Sequence, residues 1–188
     1  MTSPSKEGDD VQKYASGVLQ YLMDKSNNKE FANNMCVKIA CCSDLPIGAG
    51  VSSSAALCVG IAYGLNKLYD LGHDQMTLAN CARFSENEFV GLQCGLMDQF
   101  IIAHGKAGCV FKFDCRSLKY TEVNTNSEGN YSILLTNTLV KHNLVESEYN
   151  KRRSACESVV KKMVEKLGRP LETLRDLTLE ELNKNMPT

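Results

Sequence analysis

The chain has 188 residues, with 21 Lys and Arg against 22 Asp and Glu, a formal charge of −1 and 43% apolar residues. That length allows one domain, or one domain and the start of another, and the balanced charge excludes a global field that would draw the chain onto nucleic acid or an anionic membrane. No apolar run approaches the ~20 residues of a transmembrane helix, and residues 1–10 are polar and acidic, so a cytoplasmic protein with no membrane partner is expected.

In chain order, Val11, Tyr14, Val18, Leu19 and Leu22 recur at helical spacing and predict an amphipathic helix ending near Lys25. The short apolar run Cys36–Cys42 reads as a strand, followed by a turn at Ser43–Pro46 and a glycine-rich segment. A helix over Ser53–Leu71, closed by Gly72, is apolar almost all round and is expected to be buried on most faces. A second helix, Asp74–Phe89, takes Asp74 as its N-cap, and a shorter one covers Leu96–Ala103.

Strands are predicted at Cys109–Phe113, Lys119–Val123 and Tyr131–Asn137. A long helix follows over Ser147–Leu167, with Cys156, Val159, Val160, Met163, Val164 and Leu167 as its inner stripe. Beyond Pro170, Thr178 and Glu181 have capping-box spacing and start a last helix. Clustered helices and meander-like strands favour an α+β fold over a doubly wound parallel sheet. The nine cysteines contain no Cys-x-x-Cys pair and are expected to be reduced core thiols, with no zinc site.

The first chemical signal is Pro46-Ile47-Gly48-Ala49-Gly50-Val51-Ser52-Ser53-Ser54-Ala55-Ala56, which joins the expected strand to an apolar helix. Glycines let backbone amides approach an anion, and the helix start adds free N–H groups and the positive end of its dipole. A serine hydroxyl at this point can also ligate Mg2+. No Lys follows, so this is not a Walker loop. The plainer alternative is a solvated turn with Ser53 or Ser54 acting only as the helix cap. The composite segment resembles the second signature of the GHMP kinases, in which such a loop wraps the phosphates of ATP.

The second signal runs from Glu86 to Gln99 and places two carboxylates, Glu86 and Asp98, on either side of Gly91 and Gly95. Phosphoryl transfer to a hydroxyl needs a metal on the phosphates and a carboxylate on the hydroxyl proton, and two acids can divide those tasks. Taken alone, each is equally an ordinary helix acid. Cys94-Gly95-Leu96-Met97-Asp98-Gln99-Phe100, however, resembles the segment that bears the catalytic aspartate of galactokinases. The resemblance implies Asp98 as base, Glu86 with Ser54 as Mg2+ ligands, and Gly95 against the sugar.

The third signal, Lys141–Arg153, leads into the long helix and resembles the galactokinase segment in which the tyrosine matching Tyr149 reaches a sugar hydroxyl. The resemblance extends from Tyr14-Ala15-Ser16-Gly17-Val18 to Leu174-Arg175-Asp176. It implies a GHMP-kinase-like mixed sheet packed against helices, with residues 1–136 as an incomplete ATP-binding lobe and 137–188 as the start of the C-terminal lobe. It also implies ATP and Mg2+, with ATP phosphates on Pro46, Gly48, Ala49, Gly50, Val51, Ser52, Ser53, Ser54 and Ala55, and galactose as acceptor at its C1 hydroxyl. The alternatives are another sugar kinase of the class, acting on N-acetylgalactosamine, arabinose or galacturonate, and a non-catalytic sensor of sugar and ATP.

The chain departs from the galactokinase pattern in three places. It has no segment resembling Gly-Glu-His-x-Asp-Tyr with its upstream arginine, no third glycine-rich signature, and Val11 where a tryptophan is usual. Without those parts one wall of the sugar pocket and the cationic neighbour of Asp98 are missing, so this chain alone is expected to phosphorylate galactose weakly or not at all.

Overall fold

A computed structural model of the protein describes residues 6–28, 31, 37–125, 134–137 and 148–185. The chain divides into two compact units, Met1–His142 and Asn143–Thr188.

In the first unit, α1 (Asp10–Lys25) starts at Asp9, whose carboxylate accepts the Gln12 N–H at 2.8 Å. Its apolar stripe buries Tyr14, Val18 and Leu22, as the periodicity requires, and leaves Val11 exposed. Those side chains meet Cys58, Ile61, Ala62 and Leu65 of α2 (Ser53–Leu68) and Leu78, Cys81 and Ala82 of α3 (Gln75–Phe84) in the main core. The face of α2 carrying Gly60, Tyr63, Gly64 and Leu68 is exposed, so this helix is less enclosed than its composition predicts. Asp74 caps α3, accepting the Thr77 N–H at 2.8 Å.

The expected continuation of α3 to Phe89 does not stay α-helical. Residues Ser85–Val90 form a π-helical turn, closed by Gly91 at φ +86°. This turn packs on α1 at very short range: a Cβ added to Gly17 would lie 2.5 Å from Ser85 Oγ and 2.7 Å from Ser85 Cα. Glycine is therefore required at position 17 by the approach of the two backbones, and Ser85 Oγ completes the contact by donating to the Tyr14 carbonyl at 2.7 Å. The next helix, α4 (Met97–His104), packs on α2 and α3.

Strands β1 (Cys109–Phe113) and β2 (Tyr120–Asn124) pair antiparallel, with Val110 opposite Val123 and Phe113 opposite Tyr120. The hairpin is anchored by Phe100 of α4, whose ring stacks on Phe113 at a centroid distance of 3.9 Å and meets Phe111 edge-on. Helices with an antiparallel sheet make the fold α+β.

Two expected strands differ. Residues 37–42 are irregular and Ile39 is exposed, because a strand exists only through a ladder to a neighbour and the described residues offer this segment none. Of Tyr131–Asn137, residues 131–133 lie outside the described set, and 134–137 have no regular structure and expose Leu134 and Leu135.

The thiols also depart from expectation. Cys58 and Cys81 are core residues, Cys94 and Cys109 are half-buried, and Cys41, Cys42, Cys115 and Cys156 are exposed; these eight are free, and Cys36 lies outside the described residues. Cys41, Cys42 and Cys115 lie outside any helix or strand, and Cys156 falls on the exposed part of the long helix Glu148–Leu167.

The second unit holds α5 (Glu148–Leu167), a 3-10 turn at Leu174–Asp176 and α6 (Leu179–Asn185). The inner stripe of α5 is confined to its C-terminal half: Met163 is buried, Val160, Val164 and Leu167 are half-buried, and Cys156 and Val159 are exposed. The capping box is formed, with the Glu181 N–H donating to Thr178 Oγ1 at 3.2 Å and the Thr178 N–H donating to Glu181 Oε2 at 2.9 Å. Arg169 Nη2 donates to both Glu181 oxygens, at 2.8 and 2.9 Å, and ties α6 to the end of α5.

Candidate functional site

The glycine–serine loop reaches α2 through alternating left-handed residues: Gly48 at φ +74°, Gly50 at +76° and Ser52 at +58°. Open space lies around Gly48 and Gly50, with nothing within 4 Å of an added Cβ, so it is the backbone conformation and not crowding that calls for glycine there. Ser52 has a Cβ and is held left-handed at the N-cap position, a conformation costing a non-glycine residue on the order of 1 kcal/mol or more. Its carbonyl accepts the Ala56 N–H at 3.0 Å, but its side chain does not cap the helix and no acid occupies the first turn. Neither Ser53 nor Ser54 is the cap. A helix start of this kind has the dipole and the first-turn amides with which helices commonly bind anions.

Ser54 turns its hydroxyl toward the π turn and donates to Glu86 Oε1 at 2.7 Å. The wider π turn carries the Glu86 side chain inward, where it is 2% exposed. The other oxygen, Oε2, accepts from Gln99 Nε2, with Cys94 Sγ 4.0 Å away. Burial raises the Glu86 pKa, the hydrogen bonds from Gln99 and Ser54 pull it down, and the charge of Asp98 pushes it up again. Burial likewise pushes the Cys94 thiol up to about 11, with Glu86 adding to the rise.

Asp98 is half-buried in the first turn of α4, where the helix dipole favours an acid, and its charge is felt at both Glu86 and Cys94. Gly95 lies on the exposed link between the π turn and α4, which is pinned by Cys94 Sγ donating to Asn87 Oδ1 at 3.2 Å. Tyr149 sits at the start of α5 in the second unit, half-exposed. His142 and the rest of residues 141–147 lie outside the described residues.

The donor set suits a divalent cation. Ser54 and Glu86 place a hydroxyl and a buried carboxylate in contact beside the start of α2, and a cation there would offset the cost that burial imposes on the ionised carboxylate. Mg2+ is commonly bound by one or two protein oxygens, with substrate phosphates and water completing the shell.

Residues 13–106 match the profile of the GHMP kinases N terminal domain. The chain belongs to the GHMP kinase family. Among curated members, galactokinase of Thermotoga petrophila is 43% identical over 148 residues, covering 79% of this chain and 40% of the relative. Galactokinase of Thermotoga neapolitana is 41% identical over 171 residues, covering 91% and 45%, and that of Exiguobacterium sibiricum is 37% identical over 147 residues, covering 78% and 36%. The chain thus spans less than half the length of these galactokinases. Its fold is shared with Lactococcus lactis galactokinase, solved in complex with galactose, at a TM-score of 0.73 and 24% identity over 96% of this chain and 45% of that one.

Within this member of the GHMP kinase family, the residues singled out in sequence fall in both units. Pro46–Ala55, Glu86, Gly95 and Asp98 lie in the first unit, where Ser54 is bonded to Glu86; Asp98 is linked to that pair through its charge at Glu86, and Tyr149 belongs to the other unit. Sequence reasoning passed over Gln99, although it follows Asp98 directly. Nothing in the sequence marked it, since its burial depends on Glu86, thirteen positions away.

Proposed function

We propose that the chain carries the nucleotide-side machinery of a galactokinase, which transfers the γ-phosphoryl group of ATP to the C1 hydroxyl of galactose. Residues 1–136 act as the ATP-binding lobe and 137–188 belong to the second lobe. The backbone from Gly48 to Ser52 and the first-turn amides of Ser53, Ser54 and Ala55 hold the phosphates, with Pro46 and Val51 shaping the loop. Ser54 and Glu86 hold Mg2+, which when bound neutralises phosphate charge. Asp98 orients the C1 hydroxyl and takes its proton as the new O–P bond forms and the bond to the β-phosphate oxygen breaks, giving galactose 1-phosphate and ADP. Gly95 lets the sugar ring approach the backbone, and Tyr149 hydrogen-bonds a sugar hydroxyl. The reaction belongs in the cytoplasm, where exposed thiols such as Cys41 and Cys42 stay reduced.

The observation that carries this reading is the Ser54–Glu86 hydrogen bond, which joins the phosphate loop to the segment leading to Asp98. The 43% identity with a galactokinase supports galactose as the acceptor. The test is a chimaera in which this chain replaces the 148 matched residues of the Thermotoga petrophila enzyme. ADP release is followed with galactose, N-acetylgalactosamine, arabinose and galacturonate in turn. Galactose-dependent release that falls by about 10²- to 10⁴-fold in Asp98→Asn, with ATP affinity retained, is expected. Unchanged turnover in Asp98→Asn refutes the assignment, and a preference for another of the sugars redirects it.

A further inference from the structure

Gln99 is a buried polar residue of the site with no part in the proposed transfer. It is 1% exposed, deeper than Asp98 beside it, and its amide nitrogen donates to Glu86 Oε2 and, at 3.4 Å, to Cys94 Sγ. A carboxamide has two N–H donors, and both are directed into this cluster. Its oxygen, Oε1, is buried with no hydrogen-bond partner among the described residues. Rotating the amide by half a turn would set that oxygen against the Glu86 carboxylate, so the observed orientation is the one the acid dictates. A buried polar side chain that leaves its acceptor unsatisfied while committing its donors is held for what the donors do.

We infer that Gln99 is a positioning residue: its amide fixes the Glu86 carboxylate for the cation and, through Cys94, fixes the link that bears Gly95. With Oε2 occupied by Gln99, the rotation of the Glu86 carboxylate is set, and Oε1 is left beside Ser54 as the oxygen offered to a metal. Hydrogen bonds to ligating carboxylates of this kind orient the ligand, and their loss commonly weakens metal binding by roughly 10- to 100-fold. The same amide spans the π turn and α4, so the metal-side acid and the residues next to Asp98 and Gly95 move as one body.

This inference rests on the proposed role of Glu86 as a metal ligand, and the experiment separates the two. Mn2+ is titrated by electron paramagnetic resonance into the 188-residue chain with a non-hydrolysable ATP analogue present. The wild type is compared with Glu86→Gln, Gln99→Met, which keeps the length and removes the donors, and Gln99→Asn, which keeps the amide but cannot span the distance. Metal-free binding of the analogue and thermal melts confirm that each variant is folded. The expected result is Mn2+ affinity lowered roughly 10- to 100-fold in both Gln99 variants and in Glu86→Gln, with metal-free analogue binding within about twofold of wild type. Weakening in Glu86→Gln but wild-type affinity in the Gln99 variants overturns the inference and leaves the metal site standing. Wild-type affinity in Glu86→Gln overturns both. A measurement that needs no variant guards against misfolding: the Gln99 side-chain amide resonance of the wild type is expected to broaden on adding Mn2+ with the analogue, and a resonance that stays sharp overturns the inference.

Discussion

Ser54 and Glu86 are 32 residues apart in sequence and 2.7 Å apart in space, and their hydrogen bond joins the start of α2 to the π turn that follows α3. One partner is the first-turn residue of a helix that its N-cap side chain leaves uncapped, and the other is a carboxyl withdrawn from water. Each is incomplete as a structural device. Under the proposed function the pair serves as oxygen ligands beside the helix start, the arrangement that a metal–phosphate complex requires.

The buried acid gives a pH signature in metal-free solution. Its folded-state pKa lies above the ordinary value of 4.5, so the folded chain holds the proton more tightly than the unfolded one. That contribution is complete below pH 4.5 and is lost as pH rises through the folded value. Glu86→Gln keeps both contacts, because the Ser54 hydroxyl can rotate to accept from the new amide while Gln99 still donates to its oxygen. Urea melts in EDTA across pH 4 to 8 are expected to show the variant gaining on the wild type as pH rises through the window above 4.5 and holding its lead at neutral pH. A stability difference independent of pH would contradict the burial argument.

Gly17→Ala tests the seat of the π turn. The new methyl would lie within 2.7 Å of Ser85 backbone and side chain, and Ser85 is fully buried with its hydroxyl committed to Tyr14. Neither side can withdraw without parting α1 from the turn. The expected cost is about 1–3 kcal/mol, the range for overpacking a well-filled core, read from the urea midpoint at constant slope. Stabilisation through the better helix propensity of alanine would show that the two backbones separate freely.

Asp74→Ala tests the cap that orients α3. Loss of the bond to the Thr77 N–H is expected to cost about 1 kcal/mol at pH 7. Hydrogen bonds from Thr77 lower the Asp74 pKa below its ordinary 3.8, so its contribution is present above that pH and is lost as pH falls through the folded value. The gap between wild type and variant therefore closes on acidification, in the sense opposite to Glu86. Equal melts at pH 7 would remove the cap from the account.

Local features of this fold were legible in the sequence because their physics is local. The stripe of Tyr14, Val18 and Leu22, the cap at Asp74 and the capping box at Thr178 and Glu181 depend on residues within about a turn of one another. The glycine–serine loop was equally plain, since left-handed backbone at Gly48 and Gly50 selects its own residue type. What escaped depends on partners far along the chain. The π turn at Ser85–Val90 reads as more α-helix until Gly17 is seen beneath it, and Gln99 reads as a surface residue until Glu86 arrives from thirteen positions away. For residues 37–42, hydrophobicity called for a strand, and the described residues provide no ladder to make one.

Phe100→Ala tests how the helix bearing Asp98 and Gln99 is held. Phe100 is 1% exposed and stacks on Phe113 on one side and on His104, at 4.3 Å, on another. With Leu96 and Ala79 it forms the second core cluster, against which Phe111 and Phe113 of β1 pack. Strand β2 buries none of its residues, so the hairpin depends on this aromatic contact for its attachment to the helices. Truncation is expected to cost about 3–5 kcal/mol, a large fraction of the stability of a domain this size. Because the cavity opens between α4 and β1 and not within the α1–α2–α3 core, amide exchange is expected to accelerate first in Cys109–Phe113 and Tyr120–Asn124, and in Val18 and Cys58 only near the global transition. A uniform rise in exchange across both clusters, or a loss below about 1 kcal/mol, would show that α4 is held mainly by α2 and α3 and that the aromatic stack contributes little to placing Asp98.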